Sequence, residues 1–297
     1  MTVQSSNSVA PSGLSYLWVL IRALKLHNWL KNTLLFVPAV FSQALSPATI
    51  PTLGVAFLAF GCAASAHYLL NDLLDKGHDR QDVMKGRRPQ AAGQLSPRAA
   101  ACLTAALLAA SAACAAWLPA GFRLVLATYL LLCLAYSLLL KRALIIDILA
   151  LVALHDLRLL GGASAVLVPL SNSLLLAFTF LFLALALLKR MGQLAATADP
   201  SGLLPGRAYC NNHAPVLRFS AAAAVATSVS AFAVFFSHVG ALGLACLFLP
   251  LLAVWLGRCF FIADRGKLNE DLVLFVIADR FSSITLAALM LMLIAAG

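Results

Sequence analysis

Nine long apolar runs, separated by short polar linkers, make up most of the chain. They cover about residues 29–45, 53–72, 98–117, 121–140, 144–166, 173–190, 216–237, 240–261 and 273–296. A helix needs about 20 apolar residues to cross the hydrocarbon core of a bilayer, and most of the runs approach that length. The pattern therefore predicts an all-α integral membrane protein with nine transmembrane helices.

The segment before the first run divides into two parts. Residues 1–13 are small and polar, which predicts a disordered tail. Residues 14–28 place Trp18 and several basic residues among leucines, which predicts an amphipathic segment at the membrane interface. We expect residues 14–297 to form a single transmembrane domain.

Composition excludes a soluble globular protein. The chain is 62% hydrophobic and 11% charged, with a mean hydropathy of +0.94. Soluble domains are about half apolar and a quarter charged. The net charge of +10 is not a nucleic-acid signal here, because the basic residues flank the apolar runs and indicate topology and anionic lipid or phosphate ligands. The seven cysteines form no C-x-x-C pair, so neither a zinc site nor a disulfide framework is indicated.

The basic residues mark one side of the membrane. All 21 Lys and Arg except Arg123 and Arg158 lie in the N-terminal segment or in alternate linkers and the helix ends beside them. The opposite linkers, around residues 42–51, 164–173 and 237–240, carry no charge. By the positive-inside rule the charged side is cytoplasmic. We therefore expect a cytoplasmic N-terminus, a place in the bacterial plasma membrane, and an active site that faces the cytosol.

The densest charge lies in residues 71–89, directly after the second run. Asp72, Asp75 and Asp79 recur at spacings of three and four residues, which puts them on one face if the helix continues. Three like charges on one face repel one another unless a cation lies between them, and Mg²⁺ binds jointly to carboxylates and substrate phosphates. The stretch therefore predicts a magnesium and phosphate site, with a solvated loop of mixed charge as the alternative.

Two charged residues lie inside the fifth run. Asp147 and Arg158 are eleven residues apart, which is about three helical turns and places both on one face. Placing an ionisable side chain within a transmembrane span costs several kcal/mol of free energy, and such side chains normally face the bundle interior. Two interpretations remain open: a structural buried ion pair, or an Arg158 that binds a phosphate-bearing ligand while Asp147 orients that ligand or another basic group.

Two further pairs lie at the ends of apolar runs. Lys189 and Arg190 end the sixth run, and Lys31 and Asn32 follow Trp29 at the start of the first. Each pair is interpreted either as a topology anchor or as part of a phosphate-binding site.

The motif Asn71-Asp72-x-x-Asp75-x-x-x-Asp79, followed by Lys85 and Arg88-Pro89, resembles the first aspartate-rich motif of the UbiA superfamily of intramembrane prenyltransferases. The resemblance covers nearly the whole chain and implies nine helices around a lipid-open cavity. It implies that Mg²⁺, held by the aspartates and Asn71, binds the diphosphate of a donor at a cytoplasmic cap, with Lys85 and Arg88 contacting phosphate. It extends to Trp29-x-Lys31-Asn32, Tyr136-Ser137 before Lys141, Lys189-Arg190, Gly206-Arg207-x-Tyr209 and Asp279-Arg280.

One departure from the family pattern bears on the substrate. The aromatic prenyltransferases carry a second aspartate-rich motif at the end of the sixth helix, where this chain reads Lys189-Arg190-x-x-Gln193-Leu194. This is more similar to the branch that includes decaprenyl-phosphate phosphoribosyltransferase, in which Lys-Arg-x-x-Glu-Leu is usual. That branch implies transfer of 5-phosphoribosyl from phosphoribosyl diphosphate to a polyprenyl phosphate, with Lys189 and Arg190 contacting phosphate oxygens.

Two other functions stay open at this point. One is transfer of a prenyl group from a polyprenyl diphosphate to an aromatic acceptor such as 4-hydroxybenzoate. The other is a non-catalytic transporter or lipid-binding protein, which the absence of a visible internal repeat disfavours. In either enzymatic case the expected partners are the bilayer, an isoprenoid lipid and a diphosphate-activated donor, with Mg²⁺ as the cofactor.

Overall fold

The computed structural model describes residues 13–79, 86, 88–197, 202–204, 206–268 and 272–296. All regular elements in these ranges are helices, so the predicted all-α class is confirmed. The predicted tail lies outside them, apart from Gly13, which begins the first helix. The helices are α1 (Gly13–Leu24), a 3₁₀ helix (Leu26–Phe36), α2 (Val37–Phe41), α3 (Ile50–Leu74), α4 (Lys76–Asp79), α5 (Pro97–Ala116), α6 (Ala120–Leu138), α7 (Ile146–Ala165), α8 (Asn172–Ala195), α9 (Ala214–His238), α10 (Leu242–Asp264), α11 (Leu272–Ala278) and α12 (Arg280–Ala296), with short 3₁₀ turns at Leu140–Arg142 and Asn211–His213.

Fewer helices qualify as membrane spans than the nine runs predict. Within the described residues, α3, α5, α6, α8, α9 and α10 are long and apolar enough, and α11 with α12 makes a seventh although the two are bent by 101°. α7 has the length but carries three charged side chains. The first predicted run, 29–45, forms most of the 3₁₀ helix and α2. Nine spans and a cytoplasmic N-terminus therefore stay predictions.

The 3₁₀ helix is unusual, because it extends over 11 residues where runs longer than three or four are uncommon. Contacts with α3 hold it in place. The Trp29 indole N–H donates to Ser65 Oγ at 2.9 Å, and Ser65 Oγ donates to the Leu24 carbonyl at 2.7 Å. Gly61 makes room for the indole, since a Cβ at that position would lie 2.7 Å from the ring.

A second glycine lets α7 approach the same 3₁₀ helix. A Cβ on Gly162 would lie 2.0 Å from the Leu35 carbonyl oxygen, which is backbone and cannot move aside cheaply. Its neighbour Gly161 faces the ring of Phe60 in the same way. The absence of side chains at these positions therefore sets the distance between α7 and the 3₁₀ helix.

α7 joins the two packed halves of the bundle. Val152 and Leu159 contribute to a core built mainly from α8, α9, α10 and α12, while Leu154 packs into a second core with Phe60 and Phe122. The charged residues of α7 consequently lie inside the protein. Large apolar side chains such as Trp117, which is 87% exposed, cover the outside, as expected for a surface that faces lipid.

The predicted interfacial segment forms α1. Val19 and Ala23 are buried against Leu69 of α3, while Leu17 and Trp18 are exposed. An apolar inner face with exposed aromatic and aliphatic residues suits a helix that lies in the membrane interface. α1 ends at Leu24, because the next residue, Lys25, adopts a left-handed conformation with φ of 50°. This end of α1 lies beside the aspartates at the end of α3.

Candidate functional site

The aspartate-rich stretch begins at the end of α3. The helix ends at Leu74, Asp75 follows as its C-cap, and the short helix α4 comes next. The continuous helical face that the spacing predicts for Asp72, Asp75 and Asp79 is therefore not formed. The side chain of Asp79 and all of Lys85 lie outside the described residues.

Asp72 is a buried carboxylate that contacts two cations from distant parts of the chain. Lys25 Nζ lies 2.8 Å from Oδ1 and 2.7 Å from Oδ2, and an Arg88 guanidinium nitrogen lies 3.0 Å from Oδ1. The Lys25 ammonium also lies 5.1 Å from the centre of the Tyr68 ring. Arg88 was predicted as a site residue, whereas Lys25 was predicted only as part of the interfacial segment.

Asp75 contacts a different cation. Lys141, from the α6–α7 connection, places its ammonium 2.6 and 2.8 Å from the two carboxylate oxygens. Asn71 donates to Asp75 Oδ2 at 3.1 Å and accepts from Lys141 at 3.3 Å. Lys141 is buried, and 66 residues of sequence separate it from Asp75. No spacing rule identifies such a pair, and only the motif Tyr136-Ser137 before Lys141 pointed to this region.

The side-chain oxygen atoms at the end of α3 are of the kind that hard divalent cations bind. Two carboxylates and the Asn71 amide lie within four residues, and Mg²⁺ prefers such ligands together with substrate phosphate. In the described part of the chain no three His, Cys, Asp or Glu side chains form a metal cluster. Asp72 and Asp75 each contact a lysine ammonium, so a metal at this site would need further oxygen ligands, such as those of a phosphate.

A second cluster surrounds Asp147 at the start of α7. This fully buried carboxylate accepts from Arg190 Nε at 2.7 Å, from the Tyr209 hydroxyl at 2.6 Å and from Arg207 at 3.3 Å. Arg190 also donates to Gln193 and to the Tyr136 hydroxyl. Burial, and then the bond to Asp147, raise the pKa of Tyr209, so its hydroxyl stays a donor.

The Asp147 cluster is continuous with the aspartates of α3. Arg207 donates to the Tyr136 hydroxyl at 2.7 Å and to the Lys141 carbonyl at 3.3 Å, and Lys141 carries the ammonium that contacts Asp75. Arg207 and Tyr209 belong to the loop between α8 and α9, so that loop is held against the site. The sequence marked this loop only as a short motif.

Arg158 does not contact Asp147, although the two share a helix. Its guanidinium donates to Asn32 Oδ1 at 3.0 Å, to the Tyr129 hydroxyl at 2.9 Å and to the Leu154 carbonyl. All three partners are neutral, and no ion pair joins Arg158 to a carboxylate within the described residues. The structural ion pair considered for Asp147 therefore exists, but its partner is Arg190.

The bond between Arg158 and Asn32 places the Arg158 guanidinium against the 3₁₀ helix that also carries Lys31. Lys31 donates to Asn28 Oδ1 at 2.6 Å. The Asn32 amide nitrogen is buried and makes no hydrogen bond to any described residue. The Asn32 N–H next to the Arg158 guanidinium is therefore a spare donor beside a buried positive charge.

Comparison with known proteins identifies the fold and the family. The model of the UbiA prenyltransferase family matches residues 33–285, which is most of the chain. The chain belongs to the UbiA prenyltransferase family. A UbiA homologue from Archaeoglobus fulgidus, solved with GPP and Mg²⁺ bound, has a TM-score of 0.72 and 20% identity over 94% of this chain and 99% of that one. This likeness establishes a shared fold.

Two kinds of relatives are about one third identical to this UbiA-family chain over the parts that align. The nodulation protein NoeC of Azorhizobium caulinodans is 31% identical over 92% of this chain and 91% of its own length. The decaprenyl-phosphate phosphoribosyltransferase of Mycolicibacterium smegmatis is 33% identical, but the match covers only 59% of this chain and 57% of that protein.

Proposed function

We propose that this UbiA-family protein transfers 5-phosphoribosyl from phosphoribosyl diphosphate to a polyprenyl phosphate. The observation that carries the proposal is the interior cationic site around Arg158, whose hydrogen-bond partners are neutral. A buried cation without a carboxylate partner is costly unless a ligand supplies the negative charge. A lipid phosphate supplies that charge and reaches the interior from the bilayer. The partial similarity to decaprenyl-phosphate phosphoribosyltransferase supports the same assignment.

The donor diphosphate binds at the end of α3 in this proposal. Asp72, Asp75 and Asp79, with Asn71, are the residues that would hold Mg²⁺. When bound, Mg²⁺ neutralises the diphosphate and makes it a better leaving group. Lys85 and Arg88 lie in the same stretch and would contact phosphate oxygens.

The acceptor phosphate binds deeper, against Arg158, Asn32 and Lys31. Lys189 contacts phosphate oxygens nearer the start of α7 in this proposal. Arg158 follows Asp147 by eleven residues, and a helix rises 1.5 Å per residue. Arg158 therefore lies about 16 Å further along α7 than Asp147. The oxygen of the acceptor phosphate forms a bond to C1 of the ribose while the C1–O bond to diphosphate breaks, and the electron pair leaves with the diphosphate. The apolar bundle around the site excludes water, which would otherwise capture C1.

Arg190 and Asp147 act indirectly in this scheme. Arg190 is buried and each of its three nitrogens has a protein partner, which supports an indirect role over the predicted phosphate contact. With Asp147 it holds Tyr209 and Arg207, and Arg207 contacts the carbonyl of Lys141 beside the donor site. We therefore assign positioning roles to Asp147 and Arg190.

A second candidate function is prenyl transfer to an aromatic acceptor. The Archaeoglobus fulgidus homologue of the same fold was solved with GPP and Mg²⁺, which favours a prenyl diphosphate at the donor site. The basic end of α8 disfavours it, because Lys189 and Arg190 stand where the aromatic prenyltransferases carry a second pair of aspartates.

One experiment separates these functions. Purified protein in nanodiscs is given Mg²⁺ with labelled phosphoribosyl diphosphate and polyprenyl phosphate, or with a prenyl diphosphate and 4-hydroxybenzoate. We expect diphosphate release and a labelled lipid only in the first mixture. Turnover in the second mixture alone would reassign the donor, and turnover in neither would reject both functions.

Two variants link that activity to the site. Asp72→Asn should lower turnover by roughly a hundredfold or more, because a carboxylate that would hold Mg²⁺ at the leaving diphosphate is lost. Asp264→Asn is the matched control, since Asp264 pairs with Arg218 on the surface. Full activity of Asp72→Asn would remove Asp72 from the donor site.

A further inference from the structure

The last span is broken at a single residue. α11 ends at Ala278, α12 begins at Arg280, and the two are bent by 101° at Asp279. α11 has only seven residues, none of them buried. It packs against α12 and against the 3₁₀ helix, which carries Lys31 and Asn32. Three residues of α11 are partly buried against the main apolar core, namely Leu272, Phe275 and Val276. The angle at Asp279 sets the direction in which α11 leaves α12.

An ion pair from another helix holds Asp279. Arg258 of α10 donates to Oδ2 at 2.6 Å and to Oδ1 at 2.8 Å, so the pair is bidentate. The same guanidinium lies 5.0 Å from the centre of the Phe281 ring. Bidentate pairing fixes orientation as well as distance, which a single contact does not do.

Hydrogen bonds on both sides of Asp279 stabilise the break. Asp279 Oδ2 accepts from the Ser282 backbone N–H at 2.9 Å, which caps α12, and Ser283 Oγ donates back to the Val276 carbonyl at 2.5 Å. The Trp255 indole N–H, also from α10, donates to the buried Ser282 hydroxyl at 3.1 Å. Two residues of α10 thus hold the break, and the cap belongs to the same carboxylate as the ion pair.

We propose that Arg258 and Asp279 are positioning residues that form a latch. The latch holds α11 against the 3₁₀ helix and thereby keeps Lys31 and Asn32 converged with Arg158. The inference rests on the proposed function of that interior site, because it assigns the latch to binding of the acceptor phosphate. The donor site at the end of α3 has its own contacts, through Lys25, Arg88 and Lys141, and does not depend on α11.

The test separates the latch from the helix cap. Asp279→Asn removes the charge but keeps an oxygen that accepts from the Ser282 N–H, and Arg258→Gln removes the charge from the other side. Arg218→Gln is the matched control, because Arg218 pairs with Asp264 at 2.6 Å between α9 and α10. Spin labels at the exposed positions Leu274 of α11 and Leu30 of the 3₁₀ helix report their separation in nanodiscs.

We expect one narrow distance distribution in the parent protein and in Arg218→Gln, and a broad one in Asp279→Asn and Arg258→Gln. Both latch variants should raise the KM for polyprenyl phosphate about fivefold and leave the KM for the donor unchanged. The double variant should be no worse than either single one, because the two residues act through one contact.

The distance measurement needs no substrate, so it decides the latch even if the parent protein turns over neither substrate mixture and the proposed function fails. Unchanged distributions in Asp279→Asn and Arg258→Gln would overturn the latch, as would equal broadening in Arg218→Gln. Broad distributions with an unchanged acceptor KM would overturn its positioning role.

Discussion

Two buried arginines show how partners distinguish a structural charge from a candidate ligand site. Arg190 is 1% exposed and contacts the carboxylate of Asp147, so its charge is compensated within the protein. Arg158 is similarly buried, but its partners are an amide, a phenol and a backbone carbonyl. Burial is equal in the two cases, and only the partner's charge differs. Of these two arginines, Arg158 is therefore the one at which an anion would compensate more charge, as the proposed acceptor phosphate does.

The same comparison predicts how much unfolding free energy is lost when a buried carboxylate is removed. Asp147→Asn leaves the Arg190 and Arg207 guanidinium groups without their buried anion, and breaking one partner of a buried pair costs about 3–5 kcal/mol. We expect a large loss of unfolding free energy, measured by denaturant titration in mixed micelles.

Asp264→Asn provides the matched control for that measurement. It breaks the Arg218–Asp264 pair, whose side chains are 54% and 38% exposed, and pairs of this kind contribute at most about 1 kcal/mol. Equal losses in the two variants would mean that the Asp147 cluster does not stabilise the fold.

At the scale of elements, the 3₁₀ helix has the greatest influence on the site. It carries Lys31 and Asn32 and packs between α3 and α7. Its apolar residues resembled an ordinary span, because hydrophobicity does not reveal whether hydrogen bonds close after three residues or four. The glycines that admit it, Gly61 and Gly162, lie on other helices, so their significance appears only in three dimensions.

These glycines support a stability prediction. In Gly162→Ala the new Cβ would lie 2.0 Å from the Leu35 carbonyl oxygen, and forcing α7 away from the 3₁₀ helix should cost about 1–3 kcal/mol. The melting temperature in detergent should fall, and the acceptor KM should rise with it.

Gly54→Ala is the corresponding control. Nothing lies within 4 Å of a Cβ at Gly54, and alanine is favoured over glycine inside a helix by about 0.5–1 kcal/mol. Its melting temperature should stay level or rise. A similar fall in both variants would show that the close approach at Gly162 does not explain the effect.

At the scale of the whole molecule, most polar clusters of the candidate site lie on one side, which the charge pattern predicts to be cytoplasmic. The exception is the interior group around Arg158. The ends of α3 and α8 and the start of α7 meet there through Lys141, Arg207 and Asp147. The interior group then extends the polar surface toward the bilayer centre. Such an arrangement suits a water-soluble donor on one side and a lipid acceptor on the other.

This sidedness is directly testable. The test uses a reporter that is active only in the cytosol. We expect activity when the reporter is fused after α4 at residue 79 or after α10 at Arg265, because both points follow spans that end on the charged side. The same reporter fused at Trp117, after α5, should be silent. The reverse pattern would invert the topology and place the candidate site outside the cytosol.

The sequence by itself determined the class of protein and the family. The lengths of the apolar runs predicted helices, and α3, α5, α6, α8, α9 and α10 follow those runs to within a few residues, because hydrophobic thickness sets the length of a span. The aspartate motif after α3 pointed to the family, because it is a local pattern of charge.

Only the tertiary structure decided which charges meet. The two residues of each ion pair are separated by 21 to 66 residues of sequence. The pairs are Lys25 with Asp72, Lys141 with Asp75, Arg190 with Asp147 and Arg258 with Asp279. A cation's position in the sequence does not specify its partner over such distances, since packing of several helices brings the two together. For the same reason the bend at Asp279 and the close approach of α7 to the 3₁₀ helix at Gly162 were not visible in the chain.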